Sequence, residues 1–433
     1  MKSINKVMPI VYFFLFLIGV EVITSYLAID DAAIPSRYIL HNFYNRNENI
    51  DTLFLGTSHT MYGIDPEVYE RITGNKAYNC GTNWQYLDGS LALIKEADRL
   101  YDLKQVYVDL YFYVCRQPNR KERTSSDLVS AYYISDYMKP SSNKYMYIFS
   151  ASNSEHYVEA LIPQRRYIKN LADFRYIRSN LSKKSTENYQ NYILESEYEK
   201  ILKNGQTTCI TSLENQGFYY EGIGYSLYDS KEEWNDWKEV LNEMINYCKE
   251  HDISITFMAL PMSDFYIMQA GGLKYDEFIE EVLNVIETSG IEIDYWDFNL
   301  TKTRYLDLQE KDFKDISHLN SEGAKQVTAL LADLEVKNNK EDIFHNNYQQ
   351  KLDSEVKIFG INLMVDEEKN VITIMPATNA DDKEITYKIT HLDSEIKINY
   401  QKNASFQYET GEKYKICSYI NDKLCNTVWY TGK

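Results

Sequence analysis

The sequence predicts an α/β fold. A parallel sheet covered on both faces by helices is preceded by a transmembrane helix and followed by a small antiparallel β-sandwich. Three observations carry this. Short apolar strands alternate with amphipathic helices from Ile50 to Leu334, the pattern of a parallel sheet with crossover helices. Val7 to Ile29 is apolar and long enough to cross a bilayer as one helix. Beyond about Phe344, apolar residues recur at period two between turn residues, which marks antiparallel strands.

At the N-terminus, Lys2 and Lys6 precede the apolar segment and Asp30-Asp31 follows it, which places the N-terminus in the cytoplasm. Ala28 is preceded at the key spacing by bulky Tyr26, so no small-x-small cleavage site is present. Residues 1–30 therefore predict a cytoplasmic tip and an uncleaved single-pass anchor in the lipid bilayer, with everything after it outside the cytoplasm. That placement argues against ATP and coenzyme A chemistry. Glu21 lies within the span, where a carboxylate is costly. It either faces a protein partner or reaches headgroups near the outer interface.

Residues 31–340 read as the main domain. Ile50–Gly56 is a buried strand. Asp65 caps a short helix that has Pro66 at its first position. "KAYNCG" is a short second strand, "WQYLDGSLALIKEADRL" an amphipathic helix, and "KQVYVDLYFYV" a third strand. A helix over "EWNDWKEVLNEMINYCKEHD" leads into the strand "ISITFMALP", ended by Pro261. Another helix, "YDEFIEEVLNVIETSG", precedes "IEIDYWDF", and a last helix runs from about Ser321 to Leu334. Between about Arg116 and Gln216 this rhythm breaks into tyrosine- and arginine-rich helices and loops, an insertion that reads equally as a lid, a partner surface or packing.

Glu335 to Asn347 is a polar linker, and 345–433 reads as the β-sandwich, with alternation in "EITYKIT", "EIKINY" and "KYKICSYI". Cys417 and Cys425 would face each other across a three-residue turn and lie on opposite faces across a two-residue turn. Trp429, on the last strand, reads as a core residue of a small sandwich, with stacking on sugar as the alternative.

Composition narrows the function. The 64 acidic and 46 basic residues of the 433 give a net charge of −18, which repels a phosphate backbone and argues against nucleic acid. The six cysteines are scattered without a C-x-x-C spacing, so no zinc site is indicated, and no cofactor is implied. The 39 tyrosines suit sugar stacking, but they also accompany the high Lys, Asn and Ile content of an AT-rich coding sequence.

Three short blocks carry chemistry. In "DTLFLGTSHTMYG" the first strand stops at Gly56 and a turn displays Ser58. In "DFKDISHLNSEGAKQV", Asp315 and His318 lie three apart, just before the last helix. Residues after parallel strands meet at one sheet edge, so serine, histidine base and orienting carboxylate can converge, as acyl transfer through serine requires. The alternative for D-x-x-H is a capping turn. "YNCGTNW" follows the second strand at the same edge. There the Gly81 amide and the Asn83 side chain are candidate oxyanion donors, or Thr82 or Asn83 simply caps the next helix.

The order of these blocks, "LGTSHTMYGIDPEVYE", "YNCGTN" and "DISHLNSEGA", resembles the SGNH/GDSL hydrolase superfamily, in particular its membrane-anchored polysaccharide O-acyl-transfer members, which include proteins similar to the D-alanyl transfer protein. The resemblance covers about Ile50 to Leu334, without the insertion. It implies a flavodoxin-like three-layer fold, with Ser58 as nucleophile, His318 as base, Asp315 as its orienter, and the Ser58 and Gly81 amides as oxyanion donors. One block departs: the superfamily carries G-x-N-D after the third strand, whereas "VYVDLYFYV" has Asp109 and no asparagine. Asn83 is the candidate substitute.

The expectation is a serine acyl-transfer enzyme, O-acetylating a cell-envelope or secreted polysaccharide through acyl-Ser58. By resemblance, a membrane-bound O-acyltransferase partner supplies the acyl group. A carbohydrate esterase would use the same triad with water as acceptor. A catalytically silent scaffold or glycan-binding component of polysaccharide assembly is the reading from a different class.

Overall fold

A computed structural model describes residues 4–115, 118–214, 216–222, 236–272, 274–337, 342–381, 384–391, 394–399 and 404–433. Lys2, Arg116, the Glu233–Asn235 start of one expected helix, 338–341 of the linker and Tyr400 of "EIKINY" lie outside the described residues.

The N-terminal helix spans Ile4–Ala28. It is long and apolar enough to cross a membrane, a property that a signal sequence shares. A helix at Pro35–Tyr44, not anticipated from the sequence, then leads into the sheet.

Five strands, β1 (Thr52–Leu55), β2 (Ala77–Asn79), β3 (Gln105–Asp109), β7 (Ser254–Ala259) and β8 (Asp294–Asp297), pair in parallel in the order β2-β1-β3-β7-β8. This is a doubly wound order, with its switch point beside β1. Leu53 and Leu55 of β1 join Val106 and Val108 of β3 in one core, under the helices Leu87–Leu100, Asp236–Glu250 and Lys274–Thr288. Phe54 and Tyr107 face the other way, against Tyr69, Val327 and Leu331. The strands are apolar on both sides because helices cover both sides. The hydroxyls of buried Tyr69 and Tyr107 share Glu335, so tyrosine serves here as a core residue with a tethered polar end.

Asp65 acts as the cap that the sequence predicts, and further local signals cap and close the helices. Asp65 accepts hydrogen bonds from the amides of Glu67 and Val68, and Gly74 closes that helix at φ +81°. Asn320 accepts from Glu322 and Gly323 at 3.0 and 3.1 Å, capping the last helix, Ser321–Lys337. The helix over 84–100 begins only at Leu87, and neither Thr82 nor Asn83 caps it. The third strand ends at Asp109, and Phe112–Cys115 is helical.

The insertion holds short helices and a hairpin of β4 (Glu199–Ile201) and β5 (Thr207–Cys209). It docks at several places, the helix Leu87–Leu100 among them. Its helical part packs on the end of the N-terminal helix, and its hairpin packs beside the Ser58 helix.

The C-terminal strands are β9 (Ile358–Asp366), β10 (Val371–Thr378), β11 (Ile385–His391), β12 (Ser394–Asn399), β13 (Ala404–Gln407), β14 (Lys413–Ile420) and β15 (Lys423–Thr431). Together with β6 (Tyr219–Glu221) they form two four-stranded sheets, β13-β10-β9-β6 and β12-β11-β14-β15, around one apolar core. The strand β6 comes from just after the insertion and pairs in parallel with β9. Trp429 is not in this core. Its neighbours Val428 and Tyr430 are, and period two turns Trp429 outward, under Lys413 and Lys415 at 4.9 and 5.6 Å. The turn between β14 and β15 is Asn421-Asp422, both at positive φ. Cys417 stands opposite Thr427, and the thiols of Cys417 and Cys425 are free.

Candidate active site

Gly56 ends β1 at φ +151°, and a Cβ there would lie 2.3 Å from Thr60 Oγ1 and 2.8 Å from Asp109 Cβ. The chain must therefore turn tightly against β3. Thr57 caps the helix Ser58–Gly63 by accepting the His59 amide. Ser58 is thus the first residue of a short helix at the carboxyl edge of the sheet, half-buried. Its amide belongs to the helix turn whose N–H groups find no acceptor within the helix.

The histidine comes from the opposite end of the chain. Phe313 and Leu319 bridge, and Lys314 N donates to His318 O, closing the loop. Within it, Asp315 Oδ1 accepts from the amides of Ser317 and His318, both at 2.9 Å. This is the side-chain turn that aspartate forms readily. The loop is seated by Gly323, where a Cβ would meet the Asp312 carbonyl at 2.3 Å, and by Asn320, which donates to the Thr211 carbonyl of the insertion.

The three side chains meet. Ser58 Oγ lies 2.8 Å from His318 Nε2, and His318 Nδ1 lies 3.0 Å from both Asp315 carboxylate oxygens. With the proton on Nδ1, His318 donates to Asp315 and accepts from the serine hydroxyl, the tautomer that proton transfer from Ser58 requires. Burial pushes the Asp315 carboxyl up. Hydrogen bonding to His318, the charge of that ring and the two loop amides outweigh it, holding the carboxyl well below the usual carboxylate range. Ser317 Oγ sits 3.0 Å from both Asp315 Oδ1 and His318 Nδ1.

The proposed oxyanion donors are placed differently. The Gly81 amide donates to Asn79 Oδ1 at 3.0 Å. The reason is that Asn79 Nδ2 is turned to the Thr60 and Ile64 carbonyls of the Ser58 helix, leaving its oxygen toward Gly81. Glycine is needed there for close approach, since a Cβ would come within 2.6 Å of Met61 N and 3.0 Å of Thr57 O. Asn83 is half-buried in the loop after β2, and among the described residues no hydrogen bond joins it to Ser58 or His318. The Ser58 amide is the remaining donor of the pair that the family resemblance implied.

Asp109, where the superfamily pattern has its third block, ends β3 against the Ser58 turn. It accepts the Leu260 amide at 3.0 Å. Burial pushes its carboxyl up to about 7, against hydrogen bonds from Leu260 and Thr60, and the charge of Asp297 adds to the rise. In an unfolded chain such a group titrates near about 3.9. The folded state therefore holds the proton more tightly. The stability this contributes is complete below the unfolded value and is lost as pH rises through the folded one, at about 1.4 kcal/mol per pH unit across the window. Asp109→Asn keeps the acceptor for Leu260 and cannot ionise, so its melting temperature relative to the parent protein should rise between about pH 5 and about pH 8. Thermal melts giving the same difference at both values would refute this.

Several site residues were not singled out in the sequence. His59 is buried, stacked on Tyr111 at 4.1 Å and 4.7 Å from His318 by ring centroids. Burial, and then the charge of His318, hold its pKa well below the ordinary histidine value. Tyr62 meets His318 edge-on and donates to Glu199 of β4. Glu199 also pairs with Lys314 at 2.6 Å, and Lys314 lies over the Tyr62 ring. The only signal for this wall was adjacency: His59 follows Ser58, and Lys314 precedes Asp315.

No family model and no curated protein matches the chain. Solved structures similar to it include a protein provisionally described as a platelet activating factor from Streptococcus pneumonia, 10% identical, covering 73% of this chain and 98% of its own with a TM-score of 0.30. A provisionally described acylhydrolase from Bacteroides fragilis is 11% identical, covering 70% of this chain and 95% of its own with a TM-score of 0.28. An endo-β-1,4-mannanase from Thermotoga petrophila is 11% identical with a TM-score of 0.22, covering 94% of this chain and 96% of its own. Similarity at this level carries no argument about the site, whose reading rests on the geometry above.

Proposed function

We propose that this chain is a membrane-anchored SGNH-type serine acyl-transfer enzyme working outside the cytoplasm, with Ser58 as nucleophile, His318 as base and Asp315 as its orienter. The observation that supports it is the hydrogen-bonded chain from Ser58 Oγ through His318 to Asp315. In the first half-reaction Ser58 Oγ attacks an acyl carbonyl and its proton passes to His318 Nε2. As the tetrahedral intermediate collapses, that proton goes to the leaving oxygen and acyl-Ser58 remains. In the second, a sugar hydroxyl gives its proton to His318 Nε2 and attacks the acyl carbonyl. As that tetrahedral intermediate collapses, the proton passes to Ser58 Oγ, which leaves as the free hydroxyl, and the sugar keeps the acyl group. Asp315 stays ionised throughout and stabilises the imidazolium.

The acceptor in this reading is a cell-envelope or secreted polysaccharide, and the acyl group, acetyl by preference, arrives from a membrane-bound O-acyltransferase partner. These assignments are supported by the family resemblance of the three sequence blocks and by the N-terminal helix, which in this reading is a retained anchor with the catalytic unit on the side where cytosolic donors are absent. With water in place of the sugar the same steps describe an esterase. A silent scaffold would have no need for a triad in hydrogen-bonding register.

The test is mass spectrometry of the purified full chain after brief reaction with 4-nitrophenyl acetate and acid quench. An acetyl increment on the Ser58 peptide, absent from Ser58→Ala, is expected. Added oligosaccharide acceptor should discharge it faster than water does. Absence of both the adduct and ester cleavage above buffer would end the proposal.

A further inference from the structure

The insertion ties itself to the last turns of the N-terminal helix. Asn180 Nδ2 donates to the Leu27 and Ile29 carbonyls, and Lys184 Nζ donates to those of Tyr26 and Ile29 at 2.9 and 2.6 Å. Asn170 Nδ2 and Tyr176 OH both donate to the Ala28 carbonyl. These are the carbonyls that a helix C-terminus leaves without partners. Lys184 is buried to do this and pairs with Asp31. Lys183 pairs with Asp30. The insertion also reaches below the helix end, where Ser25 Oγ donates to the Gln164 side chain. Ser25 lies about 5 Å closer to the N-terminus than Ala28 along the helix axis.

That contact sets a depth. The apolar window Val11–Ala28 has 18 residues, about 27 Å of helix, close to the roughly 30 Å hydrocarbon thickness of a bilayer. Ala28 then marks the outer boundary, and elements bonded to Ser25 and Ala28 sit at headgroup level. The residues these elements show to solvent suit that level. Phe174 is 86% exposed and Ile168 58%. Residues 163–184 carry seven Lys or Arg and one Asp, in a chain whose net charge is −18. Arg175, Arg178 and Lys183 line a shallow recess of about 520 Å³.

We propose that residues 163–184 form an interfacial platform that seats Ile168 and Phe174 in the outer leaflet and sets Arg175 and Arg178 against anionic phospholipid headgroups. Large exposed apolar side chains flanked by basic residues are the composition of interfacial helices. A rigid cap on the membrane helix adds what a flexible tether lacks: it holds the catalytic unit at one height and one orientation above the bilayer. The occupant is the bilayer itself, because the elements that carry Ile168 and Phe174 are bonded to the end of the chain's own apolar helix. The proposal rests on reading that helix as a retained anchor.

The test uses the full chain with Cys425, the one described cysteine that is not buried, changed to Ser. Single spin labels are placed by Phe16→Cys, Ile168→Cys, Phe174→Cys and Leu424→Cys. The protein is reconstituted in vesicles of phosphatidylcholine containing one-quarter phosphatidylglycerol. Power saturation compares dissolved oxygen with an aqueous nickel chelate. A label at 16 should be lipid-buried, and one at Leu424, exposed on β15 of the distal sandwich, should be aqueous. Labels at 168 and 174 should show an oxygen-to-nickel ratio several-fold above that at 424, and the ratio should fall in vesicles without phosphatidylglycerol. Labels at 168 and 174 matching 424, while 16 stays lipid-buried, would overturn the platform and assign the patch to a protein partner. A label at 16 lost by cleavage or found in water would overturn the anchor, and the platform with it.

Discussion

Ser58→Ala, His318→Ala and the double variant should all lose the same activity, on the order of a millionfold or down to background, because nucleophile and base act as one unit. The losses should not add. Ser58 Oγ and His318 Nε2 are 2.8 Å apart, and in the proposed mechanism neither forms the acyl-enzyme without the other. Asp315→Asn should cost about 10⁴-fold. The asparagine oxygen still accepts from the Ser317 and His318 amides, so the loop is kept. Its amide nitrogen, in place of Oδ2, is a donor facing His318 Nδ1 and the negative charge is gone, so the Nδ1-protonated tautomer and the imidazolium lose support. Melting temperatures should barely change, since Ser58 is only half-buried and the loop has other ties. A capping turn without catalytic work predicts the reverse for Asp315→Asn: normal turnover with a stability loss of at most about 1 kcal/mol. Turnover and thermal melts on the same variants decide between them.

Gly56→Ala should destabilise the protein by about 2–5 kcal/mol, combining an unfavourable backbone region with overpacking. The new methyl would press on Thr60 Oγ1 and on Asp109, and the strand end could relax only by moving the turn that carries Ser58. The folded fraction should therefore also form acyl-enzyme poorly. Gly74→Ala is the control. Gly74 also has a positive φ, +81°, but a Cβ there meets open space, so only backbone strain of about 1–2 kcal/mol is expected. Equal losses in chemical denaturation of the two variants would show that the close approach to Asp109 is not what requires glycine at position 56.

Much of the architecture was legible in the sequence. Strand and helix periodicity and the Asp65-Pro66 start are local signals, and each acts through atoms a few residues away. The spacing of Asp315 and His318 was legible for the same reason, because Asp315 shapes its own loop through amides two and three residues on. The meeting of Ser58 with His318, 260 residues apart, could be inferred only from the rule that parallel strands gather their following loops at one edge. What lay beyond reach depends on long-range neighbours. Period two marks two faces of a strand without naming which is covered, so Trp429 turned outward while Val428 and Tyr430 took the core. An amide's direction depends on which acceptors compete for it. Asn79 spends its nitrogen on the Ser58 helix and so draws in the Gly81 N–H, which no pattern in "YNCGTNW" reveals. The insertion lacks a period because its polar and aromatic side chains answer to other segments: Glu199 to Lys314 and Tyr62, Asn180 and Lys184 to the end of the membrane-length helix. Only the tertiary structure brings those partners within hydrogen-bonding distance, and it alone decides that the insertion both walls the site and caps the helix.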